Sequence, residues 1–139
     1  MKEQFVTYEI ALKLKELGFD EPCFGEYVRP ENPELEIYQD NDYDMYYDKP
    51  KSICLAPLWQ QVINWFRKEY NLLIHSPKLD EWNDGKWCVK IESLDKSIIL
   101  EEHVGQPYWR IYRCFKTFEE SREQVILKAI ELIKNDTRH

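Results

Sequence analysis

A chain of 139 residues is the size of one ordinary domain, able to bury roughly 68% of its unfolded surface with no disulfide or metal to hold it. At 43% apolar and 14% aromatic it carries too much core-forming material for a disordered chain, even with 32% of its residues charged. Its 19 basic and 26 acidic residues give a formal net charge of -7, which argues against a general phosphate-backbone binder and for a self-repelling exterior.

The first element expected is a helix over residues 7–17. Ile10, Leu14 and Leu17 recur at i, i+4 and i+7 beside Ala11, Thr7 can accept from an orphan amide, and Gly18 ends the helix without a Cβ clash. A turn at Asp20-Glu21-Pro22 leads to a short strand within 23–29, and Leu35-Glu36-Ile37-Tyr38 alternates as a second; the two read as a hairpin. Residues 39–52 read as an exposed acidic loop carrying several tyrosines.

A second helix is expected over 57–70, opened by Pro57, whose missing amide has no partner at that position. Trp59, Ile63, Phe66 and Tyr70 form one stripe and Leu58, Val62 and Trp65 another, so this helix should be the most buried. Asn71 is placed to end it. Residues 72–75 read as a strand. The Asp84-Gly85 turn leads into a strand over 86–92, with Trp87, Val89 and Ile91 on one face and Lys86, Cys88, Lys90 and Glu92 on the other. Further strands are expected at 97–101 and 108–114. Thr117-Phe118-Glu119-Glu120 opens the last helix as a capping box, with a core stripe of Phe118, Val125 or Ile126, Ala129 and Ile133. The expectation is one α+β domain over 1–139, an antiparallel sheet of about five strands with three helices on one face, in the order α-β-β-α-β-β-β-α.

The opening Met1-Lys2-Glu3-Gln4-Phe5 has no basic region leading into an apolar stretch, and no apolar run reaches the roughly 18 residues of a membrane span. Cys23, Cys54, Cys88 and Cys114 are scattered with no pair two residues apart. They read as reduced, buried small hydrophobes in a cytoplasmic protein.

Three stretches carry a resemblance. Residues 5–24, containing Leu17-Gly18-Phe19-Asp20-Glu21-Pro22-Cys23-Phe24, Leu55-Ala56-Pro57-Leu58-Trp59-Gln60-Gln61 running on through Arg67, and Phe115-Lys116-Thr117-Phe118-Glu119-Glu120 running on through Glu123 are similar to a family of small proteins from Bacteroidetes genomes, phages and mobile elements. That family has no assigned activity. The resemblance implies a prophage or mobile-element context and carries over no catalytic or binding residue; residues 30–52 do not share in it.

Asp40-Asn41-Asp42-Tyr43-Asp44 has the spacing that opens a calcium loop, but Met45 stands where glycine belongs and Lys51 where the bidentate carboxylate belongs. No metal site is expected. Tyr43, Tyr46 and Tyr47 among Asp40, Asp42, Asp44 and Asp48 combine rigid aromatic area with negative charge, which suits a contact surface for a basic partner protein or mimicry of a nucleic acid; the alternative is that the tyrosines fold back and cap the sheet. Trp82, in a polar stretch beside Asp80, Glu81 and Asn83, is the one tryptophan placed for external contact. Four scattered glycines cannot build a phosphate cradle, so no nucleotide cofactor is expected.

A nucleic-acid reader would draw on Trp109-Arg110-Ile111-Tyr112-Arg113. Against it, residues 71–139 carry 11 basic and 12 acidic side chains, and the last helix opens on Glu119, Glu120 and Glu123 where a reader needs lysines. An enzyme would have to use Cys88, Cys114, His75 or His103, at no diagnostic spacing. The leading expectation is a non-enzymatic accessory protein, monomeric or homodimeric, that works through an unidentified protein partner.

Overall fold

The structure is a computed structural model that describes residues 2–38, 53–78, 85–96 and 109–136, with 109–113 given by their backbone. The chain divides into two compact units, Met1–Val62 and Ile63–His139. No helix among the described residues is long and apolar enough to cross a membrane.

In the first unit, α1 (Tyr8–Glu16) starts where Thr7 accepts the Ile10 amide at 3.3 Å. It closes as the spacing predicts: Gly18 takes φ +98°, its amide donates to Lys15 O at 3.0 Å, and the Phe19 amide donates to Leu14 O at 3.0 Å. This pair of bonds satisfies carbonyls the helix leaves unpaired. Ile10, Ala11 and Leu14 are its buried face.

The expected hairpin is present as β1 (Gly25–Val28) and β2 (Glu34–Ile37), antiparallel with Gly25 opposite Ile37 and Val28 opposite Glu34. A third strand, β3 (Cys54–Leu55), pairs with the other side of β1. Two residues are too few to show a period of two, so no pattern announces it. The sheet order is β2-β1-β3. Tyr27 on β1 packs edge-on against Tyr8 at 5.5 Å, and its hydroxyl donates to Val6 O.

Gly25 is closely enclosed in this sheet. A Cβ there would lie 2.9 Å from Glu36 O and 3.2 Å from the Phe5 ring. Because a backbone carbonyl cannot swing aside, Gly25→Ala is expected to cost about 1–3 kcal/mol, read as a lower urea midpoint at unchanged slope.

Helix α2 (Trp59–Tyr70) begins two residues after Pro57 and runs across the division between the units. Of the two predicted stripes, Trp59, Val62, Trp65 and Phe66 are buried, while Ile63 and Tyr70 are half-buried, as is Leu58, which precedes the helix. Asn71 ends it at φ +53°, and its side-chain amide donates to Asp95 at 2.8 Å.

In the second unit, β4 (Leu72–His75), β5 (Trp87–Ser93) and β6 (Trp109–Phe115) form an antiparallel sheet in that order. The described strands therefore form two three-stranded sheets, in place of the single sheet of about five expected from the pattern. The expected strand at 97–101 lies outside the described residues. Pairing partners are a long-range property, and alternation along one strand cannot choose between one sheet and two.

The β5–β6 register shifts between Cys88, opposite Cys114, and Lys90, opposite Ile111. β6 thus carries one extra residue across from Val89, a bulge that breaks strict alternation. Cys88 and Val89 are both buried, Cys88 as its reading as a small buried hydrophobe expects, although it alternates with Lys86, Lys90 and Glu92.

Helix α3 (Phe118–Asn135) lies on this sheet. Thr117 caps it, accepting the Glu120 amide at 3.2 Å and donating to the Glu120 carboxylate at 3.3 Å. Ser121, Val125, Ile126, Ala129, Ile130 and Ile133 are buried. Phe118, expected in the core stripe, is 37% exposed. It sits in the first turn, where its ring meets Trp87 at 5.2 Å and Arg122 stands over it at 5.3 Å.

Candidate functional site

Three groupings bear on chemistry: an acidic hairpin and a thiol cluster in the first unit, and a histidine and cysteine sheet in the second. The predicted contact residues Tyr43, Tyr46, Tyr47 and Trp82 lie outside the described residues, as do Asp40, Asp42, Asp44 and His103.

On the hairpin, Glu26 stands directly opposite Glu36, and Val28 opposite Glu34. Opposed residues of an antiparallel pair share a face, and like charges placed so repel. Glu34 is held by Arg29 in an ion pair. Glu26 is only 6% exposed, and its Oε2 has no hydrogen-bond partner. Glu34 and Glu36 are exposed along β2, which among the described residues pairs only with β1. Sequence reasoning overlooked this grouping, because Glu26 and Glu36 meet only through the hairpin register.

Cys23 and Cys54 are free and buried. Burial pushes the Cys23 thiol up to about 12, against a small lowering by Gln61, and the Cys54 thiol up to about 11, against the pull of the Lys15 charge. The Cys23 thiol donates to Glu21 O at 3.2 Å. Cys54 lines a cavity of about 60 Å³ with Ala11, Lys15, Phe19, Asp20 and Leu55, and the Lys15 ammonium donates to Ile53 O at 2.6 Å. Such thiols are inert, since the thiolate is the nucleophile. At pH 8 a thiol at 11 is on the order of 0.1% ionised, against about a quarter for an ordinary cysteine. Native alkylation of Cys23 and Cys54 is therefore expected to run at least ~100-fold slower than in urea, measured by iodoacetamide labelling and peptide mass mapping.

In the second unit, His75 on β4 faces Lys90 on β5 across the pair. Burial lowers its pKa first and the Lys90 charge second, with Glu92 pulling the other way, and its Nε2 has no partner. Because the folded chain binds this proton less readily than the unfolded chain, acid favours unfolding. Stability is expected to fall as pH drops below about 6.5, the unfolded value. His75→Asn should flatten that fall in urea midpoints taken at pH 7 and pH 5.

Cys88 and Cys114 are joined by a disulfide, with S–S 2.05 Å and Cα atoms 3.9 Å apart. This corrects the expectation of reduced thiols and removes both from the set of nucleophiles an enzyme would use. The pair is 26 residues apart in sequence and becomes adjacent only through the β5–β6 register, a signal that spacing does not carry. Among the described residues no group of three His, Cys, Asp or Glu side chains could hold a metal ion. Compared with known protein families, curated proteins and solved structures, the chain matches none.

Proposed function

We propose that this chain is a non-enzymatic accessory protein of a prophage or mobile element, acting in the cytoplasm by contact with a basic protein partner. The observation that carries the reading is β2, with Glu34 and Glu36 exposed along a strand that is paired on one side among the described residues. A strand with unpaired backbone groups accepts an added strand, while its side chains choose the partner. Here that choice favours lysine and arginine, because Glu36 also stands opposite Glu26, whose Oε2 has no hydrogen-bond partner. The inert thiols and the Cys88–Cys114 bond support a binding role over a cysteine enzyme. Tyr43, Tyr46, Tyr47 and Trp82 are proposed as further contact residues on their chemistry.

Capture from host lysate with the intact protein tests this. A lysine- and arginine-rich partner should be retained at low salt and released as salt rises, since exposed charge pairs are screened. It should be lost from the Glu34→Lys/Glu36→Lys variant and weakened in Tyr43→Ser/Tyr46→Ser/Tyr47→Ser. A capture profile identical for all three proteins overturns the reading.

A further inference from the structure

The geometry points to the Cys88–Cys114 pair as a reversible thiol–disulfide exchange site, opened through Cys114 by a protein dithiol reductant. Five observations carry this. A chain of 139 residues has a core large enough to fold without a covalent staple, and the bond belongs to no disulfide framework, since Cys23 and Cys54 are free thiols.

The bond also joins two directly opposed positions, with Trp87 paired to Phe115 on one side and Lys90 to Ile111 on the other. Opening it leaves the ladder in place on both sides. The two sulfurs are also unequal. Cys88 is fully buried and Cys114 half-buried, so an incoming thiolate reaches Cys114 first. Finally, Cys88 Sγ lies 3.8 Å from Lys86 O, so the thiol released there already has an acceptor.

The chemistry balances as a two-electron exchange. One thiolate of the reductant attacks Cys114 Sγ, the S–S bond breaks, and its electron pair leaves on Cys88 Sγ, which takes up a proton. The second reductant thiolate attacks the first reductant sulfur and expels Cys114 Sγ, which is protonated in turn. The reductant leaves as its own disulfide and the chain holds two thiols. Cys23 and Cys54, buried and weakly acidic, do not divert the mixed disulfide.

The test uses the intact, folded protein and a thioredoxin-class dithiol protein. Reduction should expose two new alkylatable thiols per chain, mapped to Cys88 and Cys114, with the far-UV circular dichroism retained, and oxidised dithiothreitol should remove both again. A reductant lacking its second cysteine should be trapped as a mixed disulfide on Cys114. The inference is overturned if the bond opens only in denaturant, if the trapped link maps to Cys88, or if both residues remain thiols after oxidation.

Discussion

Phe66→Ala is expected to lower the free energy of unfolding by about 3–5 kcal/mol, the usual result of truncating a buried aromatic ring. Phe66 is fully buried, and its ring meets Trp65 edge-on at 5.2 Å and Tyr70 at 6.2 Å. The loss combines the transfer energy of the ring with the cavity left behind, because neighbours as large as Trp65 relax only in part. A domain is stable by only about 5–15 kcal/mol, so the variant should show a lower urea midpoint and a visible unfolded fraction near physiological temperature. The shape of the curve is informative as well. If the chain is one domain, as its length predicts, Trp59 in the first unit and Trp65 in the second lose their burial in one transition. Two separated transitions, with only the later residues shifted by the substitution, would make the units independent.

Reduction of the Cys88–Cys114 bond is expected to cost about 3–4 kcal/mol, the chain-entropy value for a loop of this length. The two cysteines are 26 residues apart, so the bond removes many open conformations from the unfolded chain while leaving the β5–β6 ladder as it is. The fold should survive, because the remaining stability still rests on the buried faces of α3 and the sheet below it. Urea unfolding with and without dithiothreitol measures the difference. An unchanged midpoint would mean that the unfolded chain keeps these strands together without the bond.

Side chains close in sequence specify structure where the physics is local. The Thr7 and Thr117 caps, the Gly18 closure, the left-handed Asn71 and the two stripes of α2 follow from side chains within one or two turns of one another. The hairpin of β1 and β2 was legible for the same reason. Phe118 was misplaced because a helical stripe gives a direction without saying where its partner surface stops; in the first turn that direction leads to the Trp87 ring and Arg122, short of full burial.

The sequence by itself determined the helices, the class of fold, the acidic balance and the absence of phosphate-cradling or metal-ligating motifs, since each depends on composition or on neighbours along the chain. Only the tertiary structure decided the division of strands into two sheets, the register shift between β5 and β6, the disulfide to Cys114 and the meeting of Glu26 with Glu36. Each of these depends on the register between paired segments, which alternation within one strand does not set. A slip of one residue would carry those side chains to the opposite face.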